Sequence, residues 1–527
     1  MSYAQNKTDT GRTLAISAIP DYHRHDLSWV HCPVAITQDP TELSSSGALE
    51  WFADLPSSRL PELKTMLDEM LGSPKGFAAK NEVIDEFGWR NFGDIWADHE
   101  QTYSNDPMPV ISHYNNQYDL LHGMLREYLR TGDVRWWKLA QPLAEHVMDI
   151  DIYHTEQDRS AYSGGMFWHT SHYRDAGTAT HRTFSRAMTG DQHRVAGGGP
   201  AAEHNYASGL LLFYHLTGCP RAAAAVISLA NWVIAMDDGN LSPLSLLSGC
   251  ATGNASSTSV RTYHGPGRGV GNSINTLLDA WILTRSNAYL AKCESLIRRS
   301  VHPENELEPL NLLHAELRWS YPVALQAMLR FCEIVGDQAP ETCRYIQASL
   351  QRYAEWMLSN ESHYWDRQDE LEFPTETWPA QDLRKGTTMM LLSAVVVDRE
   401  RAKFLHQHGR TFFERALEQL FACDTRNYTR PSAIVLQQLP LFEWALHLLD
   451  RPLSRYWDDR QSSIHWPTRS AWHFQKDDVR AAIKSPVRWP ALAMRLVNIR
   501  RWPLLLAQSP LGRHYRRLVR PLGTHHE

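Results

Sequence analysis

Apolar residues recur along most of the chain with the spacing of α-helices, and the predicted helices follow one another in pairs. The clearest pair is HYNNQYDLLHGMLREYLRTGD from His113 and VRWWKLAQPLAEHVMDID from Val134. Four further pairs begin near Gly197, Gly271, Ser320 and Gly386. A last apolar segment, from Ser432, has no evident second helix. Repeated helical pairs of this size indicate a solenoid or a closed ring of hairpins.

The two helices of each pair differ in where their polar residues lie. First helices such as ASGLLLFYHL and TTMMLLSAVVV are apolar on nearly all sides, whereas second helices such as YLAKCESLIRRS carry one polar face. We therefore expect the first helices to form an inner ring. The predicted fold is all-α: an (α/α)6-type toroid over residues 111–450, an irregular N-terminal segment over residues 1–110 with one helix from Ser57, and a basic C-terminal extension over residues 451–527.

Short turns within the pairs and long connections between them place the long loops at one end of the predicted ring. Glycines at the short turns suit left-handed helix caps at Gly132, Gly218 and Gly336. The long connections cover residues 153–199, 238–269, 302–319 and 361–385. Inner-helix N-termini open at the same end, where each exposed N-terminus favours an anion by up to ~1 kcal/mol. This end is the expected ligand site, and it suits an acidic sugar.

Composition narrows the possible classes of function. The 527 residues carry a formal net charge of -6, which gives no general signature of a nucleic-acid-binding protein, so no nucleic-acid partner is expected. The seven cysteines show no CxxC spacing, which argues against a disulfide framework. The N-terminus lacks the pattern of a secretion signal, and no uncharged apolar run is long enough to span a bilayer. A cytoplasmic location is the resulting expectation.

Polar and aromatic side chains crowd the starts of the first two inner helices and the loop between them. The predicted catalytic residues are His113, Tyr114, Asn115, His172, Tyr173, Arg174, Glu203, His204 and Tyr206. Trp168 and His169, in the same loop, are predicted to bind substrate. The spacing of His169 and His172 is compatible with zinc, but no HExxH or paired CxxC motif supplies further ligands. No metal and no cofactor is therefore predicted.

Three further segments contribute candidate substrate-binding residues. Asp98 and His99 lie among aromatic residues in WRNFGDIWADHE, which suggests either a cleft wall or a packed strap. In TYHGPGRGVGNS the glycines would let a ligand approach the backbone while Arg268 meets a carboxylate, although a plain turn explains them too. The segment EFPTETWPAQDLRKG combines an aromatic plate with charges, or is a salt-bridged loop, and its candidates are Glu376, Trp378, Arg384 and Lys385.

Four of these motifs carry a resemblance to a known family. WRNFGDIWADHE, HYNNQYD, the HxxHYRD loop and GGGPAAEHNYASGL together resemble the helical toroid domain of exo-acting rhamnogalacturonan lyases and their relatives, over roughly residues 85–300. The resemblance implies an (α/α) toroid that cleaves a uronate-containing polysaccharide by β-elimination. It also implies that Tyr, His, Arg and Asn side chains lie in the cleft.

The candidate residue types fit β-elimination on chemical grounds as well. Removal of the proton alpha to a uronate carboxylate needs a neutralised carboxylate, a base and an acid for the leaving oxygen. We expect His204 or Tyr206 to be the base and Tyr114 or Tyr173 the acid, with the carboxylate neutralised by Asn115, Arg174 and Arg268. The alternative enzyme is a glycoside hydrolase, which needs two flanking carboxylates from the set Asp98, Asp119, Glu203, Glu376 and Asp382.

A third hypothesis is a non-catalytic saccharide-binding scaffold in polysaccharide assembly, since the fold alone does not imply catalysis. The C-terminal extension bears on it because PVRWPALAMRLVNIRRWPLLLAQSPLGRHYRRLVRPLG mixes Arg with Trp and Leu. Such a segment suits peripheral contact with a membrane or a protein partner. The alternative is a strap that packs on the helical domain with its arginines in solvent.

Overall fold

The computed structural model of the chain describes residues 38–53, 60–84, 92–101, 114–154, 162–167, 200–238, 253–256, 263–450, 466, 483–490 and 493. Over these residues the fold is all-helical, with fifteen α-helices and no β-strand, which confirms the predicted class. Two isolated β-bridges join Ile152 to Met166 and Phe167 to Pro200. None of the helices in this part of the chain combines the length and the apolar character that crossing a membrane requires.

The N-terminal part contains three helices, of which the sequence predicted one. They are α1 (Pro40–Ser46), α2 (Pro61–Gly72) and α3 (Phe77–Ile84). Helix α2 is the predicted one, and its buried residues Leu63, Met66, Leu67 and Met70 have the spacing of a single helix face. This face packs into the main hydrophobic core of the protein.

All five predicted helical pairs are present. They are α4 (Leu120–Thr131) with α5 (Val134–His146), α6 (Ser208–Thr217) with α7 (Pro220–Asp238), α8 (Arg268–Thr284) with α9 (Asn287–Ser300), α11 (Tyr321–Val335) with α12 (Pro340–Asn360), and α13 (Thr377–Leu392) with α14 (Arg399–Phe421). The short helix α10 (Ala315–Arg318) precedes α11, and α15 (Thr429–Ala445) is the expected last apolar helix.

First and second helices differ in burial as their sequences predict. Every residue of α13 from Trp378 to Leu392 is buried. In α9 only one face is buried, formed by Tyr289, Cys293, Leu296, Ile297 and Ser300. The first helices therefore lie inside the protein, and the second helices cover them with one face toward solvent.

The six first helices contact one another in cyclic order. Helix α4 contacts α6, α6 contacts α8, α8 contacts α11, α11 contacts α13, α13 contacts α15, and α15 contacts α4 again. A buried ion pair between Arg130 of α4 and Glu443 of α15 joins the last helix to the first. These contacts bring side chains from all six helices around one central space.

The turns within the pairs match the prediction at two of three glycines. Gly132 (φ 67°) and Gly218 (φ 68°) end their helices in the left-handed conformation. Gly336 does not, because its φ is -51° and the chain continues through further turns, with the Ala339 amide donating to the Val335 carbonyl (2.9 Å). The left-handed cap of α8 is instead a non-glycine residue, Arg285 (φ 55°).

The prediction of a loop over residues 361–385 is wrong, because most of these residues are helical. A 3-10 helix covers Tyr364–Glu370, and α13 begins at Thr377 rather than near Gly386. The sequence misled because this first half of α13 is rich in polar residues, which usually mark a surface loop. Here they are buried and paired, as when Lys385 contacts Glu361 (2.8 Å) and Asp382 (3.1 Å).

Candidate functional site

A cavity of about 80 Å³ lies inside the ring of first helices. It extends along α4 from Asp119 to Arg126, which is about 10 Å at the rise of an α-helix. Glu50 and Trp51, from the N-terminal segment, line its far end, where Arg126 donates to both of their carbonyl groups. The six helices contribute mostly polar lining residues, among them His122, Ser208, Asn272, Asn275, Gln326, Arg330, Arg384 and Gln437.

Aromatic and cationic side chains gather around Tyr206 and Arg384, the two among them that line the cavity. Arg268 lies over the ring of Trp319 with 5.1 Å to its centroid, and Trp319 lies 6.4 Å from the ring of Tyr118. Arg384 lies over the ring of Tyr118, with 5.7 Å to its centroid. We call this group the rim cluster; its members are Tyr114, Tyr118, Glu203, His204, Tyr206, Arg268, Trp319, Gln381 and Arg384.

Arg268 is held by Glu203, and the backbone of Glu203 is held in turn. Arg268 Nε lies 3.4 Å from Glu203 Oε1. The Glu203 carbonyl accepts hydrogen bonds from Asn272 Nδ2 (2.7 Å) and from the Tyr206 hydroxyl (3.3 Å). Burial alone would lower the pKa of Arg268, but the charge of Glu203 raises it, so Arg268 stays cationic.

Arg384 is buried with no carboxylate partner in the described residues. Its side chain is 1% exposed, and its Nε donates to Gln381 Oε1 at 3.1 Å. Its Nη2 is buried and has no hydrogen-bond partner among the same residues. Burial lowers the pKa of Arg384 to about 10, which still leaves it charged at neutral pH. A buried charge of this kind costs several kcal/mol unless an anion compensates it.

The backbone that carries Tyr118 is strained. Four residues without the freedom of glycine, Asn115, Asn116, Tyr118 and Asp119, have φ between 50° and 57°. Asparagine and aspartate tolerate this region, whereas for tyrosine it is uncommon and costs on the order of 1–3 kcal/mol. Gln381 Nε2 donates to the Tyr118 hydroxyl at 3.2 Å, which fixes the end of the ring.

The two other tyrosines of the rim cluster are buried proton carriers. Burial raises the pKa of Tyr206 to about 12, while the charges of Arg268 and Arg384 act in the opposite direction. Burial also raises the pKa of Tyr114 well above its usual value. Both hydroxyls are therefore protonated at neutral pH, which suits a proton donor better than a base. The ring of His204 lies edge-on to Tyr206, with 6.4 Å between centroids.

His99 and Asn115, two other predicted site residues, adjoin the rim cluster. His99 lies edge-on to Tyr114 at 5.9 Å, and burial holds the pKa of His99 well below its ordinary value, so the imidazole is neutral. Asn115 Nδ2 donates to the Phe167 carbonyl at 2.9 Å. This bond ties the segment before α4 to Phe167, a residue of the predicted loop over residues 153–199.

Four predicted substrate-binding residues have hydrogen-bond or ion-pair partners that are not members of the rim cluster. Asp98 caps α15 by accepting from the Thr429 amide (2.8 Å), and it also pairs with Lys80 (2.9 Å). Glu376 accepts from the Thr425 hydroxyl (2.8 Å), and burial raises its pKa. Trp378 donates to the Phe373 carbonyl (2.7 Å) and packs against Tyr364, over which Lys385 also lies. Each of these four side chains therefore has a partner within the protein.

The remaining candidates lie outside the described residues: His113, Trp168, His169, His172, Tyr173 and Arg174. Among the residues that are described, no group of three His, Cys, Asp or Glu side chains is placed to hold a metal ion. The structure therefore brings together Tyr114, Glu203, His204, Tyr206, Arg268 and Arg384, which the sequence had named from four separate segments.

The predicted site residues do not include Tyr118, Trp319 and Gln381. Tyr118 sits in the same NNQYD stretch as two candidates, and the dense polar residues ahead of α4 were a usable signal. Gln381 had no such signal, because it was taken for part of a loop. Comparisons with known proteins add no name to this site: no protein-family model matches the chain, and no curated protein matches it significantly.

Proposed function

We propose that this chain is a carbohydrate-active enzyme on an (α/α)6-type toroid, acting on an acidic, uronate-containing oligo- or polysaccharide by β-elimination. The six central helices contact one another in cyclic order, and five of them are followed by an outer helix. Both features support the toroid. The family resemblance of the four motifs points the same way.

The burial of Arg384 is the single observation on which the proposal of an acidic substrate rests. A fully buried guanidinium without a carboxylate partner in the described residues is retained at a cost in stability, and it faces a cavity. A planar oxyanion such as a uronate carboxylate is the ligand that the guanidinium fork binds best. Arg268, already paired with Glu203, adds a second positive charge at the same rim.

The aromatic members of the rim cluster support a sugar as the rest of the ligand. Trp319 is partly exposed, and it stands beside Tyr118 and Arg268. Flat rings next to charged and amide groups suit a ligand with both apolar C–H faces and polar substituents, as a sugar ring has.

The proposed proton-transfer roles follow from the residue types and from the raised pKa of Tyr206. His204 takes the proton alpha to the carboxylate, the electron pair forms the new C=C bond, and the C–O bond to the leaving sugar breaks. Tyr206, protonated at neutral pH, gives its proton to the leaving oxygen. Arg384 and Arg268 neutralise the carboxylate, so charge that builds up in the transition state is stabilised.

Hydrolysis by paired carboxylates fits the described rim less well. Glu203 belongs to the rim cluster, but its carboxylate is engaged by Arg268, and Asp98 is engaged by Lys80 and the start of α15. Hydrolysis needs one free acid and one free base or nucleophile on opposite sides of the scissile bond.

The test offers uronate-containing oligosaccharides to the full chain and follows ultraviolet absorbance of an unsaturated product together with reducing ends. We expect both to rise together. Reducing ends without absorbance would establish hydrolysis, and binding without either signal would establish a scaffold. His204→Ala should lower turnover by about 10²–10⁴-fold, and Glu203→Gln should lower it less. The control is His215→Ala, which removes an exposed histidine from α6 and should leave turnover unchanged.

A further inference from the structure

The carboxylate of Asp119 joins the starts of the first two central helices. It caps α4 by accepting from the His122 amide (3.4 Å). The same carboxylate accepts from the Gly209 amide at the start of α6, at 3.2 Å and 3.1 Å to its two oxygens. Asn116 Nδ2 donates to it as well (3.3 Å), and Asn116 Oδ1 accepts from the Leu121 amide (2.9 Å). Four donor contacts thus converge on one side chain.

Gly209 shows that this contact is closely fitted. A Cβ added to Gly209 would lie 2.5 Å from Asp119 Oδ1 and 2.7 Å from the His122 amide nitrogen. Both distances are far inside van der Waals contact, so the carboxylate can approach the α6 backbone only because residue 209 has no side chain. The contact therefore depends on the identity of both residues.

Tyr118 lies between the two residues that make these hydrogen bonds. Its left-handed conformation (φ 57°) is unfavourable for tyrosine, and its own side chain does not relieve the strain. Asn116 on one side and Asp119 on the other tie the backbone down. The Tyr118 ring in turn faces Arg384, Trp319 and Gln381.

We propose that Asp119 is a positioning residue, whose carboxylate locks the strained segment 115–119 so that the Tyr118 ring completes the saccharide site. The consequence for ligand binding rests on the proposed function, whereas the positioning of Tyr118 does not. Loss of the negative charge at Asp119 leaves one carbonyl oxygen as a weaker acceptor for the Gly209 amide, which changes how the segment is held.

The surroundings of Asp119 make its charge sensitive to pH. Burial raises the pKa of Asp119 to about 6, the hydrogen bond from Gly209 opposes this, and the negative charge of Asp279 on α8 adds to it. The other titratable groups that line the same cavity are Glu50, His122, Arg126, Tyr206, Arg330 and Arg384. We therefore expect the contacts between Asp119 and the segment to change when the carboxylate is protonated below about pH 6.

The test places 3-fluorotyrosine at position 118 of the full chain and records its fluorine NMR signal on both sides of about pH 6. The wild-type signal should shift or broaden below that pH. Asp119→Asn should show the low-pH signal at neutral pH and no further change through the window. The matched control is Asp133→Asn, because Asp133 caps the next helix, α5, through the Arg135 amide (2.9 Å) but follows the opposite end of α4 from segment 115–119.

A signal that stays constant with pH in the wild type, or that is the same in Asp119→Asn and wild type at neutral pH, overturns the proposal. Should Asp119→Asn fail to fold, the wild-type titration and Gly209→Ala, which pushes the same carboxylate away, still decide it. Binding of uronate oligosaccharides separates the two proposals. A fluorine shift without any binding by the wild type rejects the proposed function alone; wild-type binding that Asp119→Asn retains within twofold rejects the positioning role alone.

Discussion

The guanidinium of Arg384 lies 5.7 Å from the centroid of the Tyr118 ring, and that ring is the main favourable partner of its charge. A cation–π contact contributes about 0.5–2 kcal/mol, whereas burying an unpaired charge costs several kcal/mol. The contact therefore offsets only part of the cost. The protein retains Arg384 at a net expense in stability, as expected of a residue kept for ligand binding.

Arg384→Met should therefore stabilise the ligand-free protein and abolish binding of an acidic saccharide. Methionine fills a similar volume without a charge, so the free energy of unfolding should rise by on the order of 1 kcal/mol. Urea denaturation measures the first effect, and calorimetric titration with a uronate oligosaccharide measures the second.

The control for this substitution is Arg352→Met, which removes an exposed arginine from the outer helix α12. Its effect on unfolding should lie within about 0.5 kcal/mol and its ligand binding should be unchanged. Destabilisation by Arg384→Met with normal binding would show that Arg384 is structural.

His146 should make stability depend on pH above neutrality. Burial alone would lower its pKa, but Asp151 (3.4 Å), Asp94 (3.8 Å) and a hydrogen bond to the Phe92 carbonyl (3.0 Å) raise the pKa of His146 to about 9. A histidine pKa that is higher in the folded state stabilises the fold fully below pH 6.5. That contribution, about 3 kcal/mol, is lost as the pH rises through about 9.

Urea denaturation across this pH range checks the effect. His146→Gln should be less stable than the wild type at pH 6.5 and should show a flatter profile up to pH 9. Cysteines and tyrosines titrate in both proteins, so the difference between the two curves isolates His146. Parallel curves would contradict the raised pKa. Because the Tyr114 amide lies 3.4 Å from Asp94 Oδ1, the same change should also disturb the rim cluster.

The sequence predicted the helical pairs because burial leaves a periodic record, as in α9, whose buried residues recur every three or four positions. It also named residues at several helix starts that the fold brings together, such as Glu203 and Arg268. Helix starts of like direction meet at one end of a ring whatever their distance in sequence, so this inference did not need coordinates.

Side-chain partners and backbone conformation were beyond the sequence. Lys385 and Arg384 are adjacent and equally polar, yet Lys385 is neutralised by Glu361 and Asp382 while Arg384 has no carboxylate in the described residues. This difference arises from residues brought close by tertiary packing. Tyr118 is in the left-handed conformation, and its neighbour Asp119 accepts from the Gly209 amide of another helix, a contact that the sequence does not reveal.

The charge of Glu50, at the far end of the cavity, should increase the free energy of unfolding. Burial alone would raise its pKa, but Arg330 (2.7 Å) and Arg126 lower the pKa of Glu50 to about 2. Its stabilising contribution is therefore present above pH 4.5 and is lost as the pH falls through about 2. The side chain is 24% exposed, so screening reduces the effect, and Glu50→Gln should cost about 2 kcal/mol at neutral pH.

Glu42→Gln is the matched control for this prediction, because Glu42 is exposed on α1 in the same N-terminal segment. It should change the free energy of unfolding by less than about 0.5 kcal/mol. Equal, small effects of both substitutions in urea denaturation would show that the contact between Glu50 and Arg330 contributes little.

The close approach of the inner helix α13 and the outer helix α14 should depend on two glycines, Gly386 and Gly409. A Cβ at Gly386 of α13 would lie 2.7 Å from the Phe413 amide nitrogen and 2.8 Å from the Gly409 carbonyl oxygen of α14. Backbone atoms cannot move aside cheaply, so Gly386→Ala should destabilise the protein by about 1–3 kcal/mol although alanine favours helices.

Gly72→Ala at the end of α2 is the control: its Cβ would meet only Arg135 Nη1, at 3.9 Å. That substitution should be neutral or stabilise by up to about 1 kcal/mol. A smaller loss for Gly386→Ala than for Gly72→Ala in urea denaturation would contradict the close packing of α13 on α14.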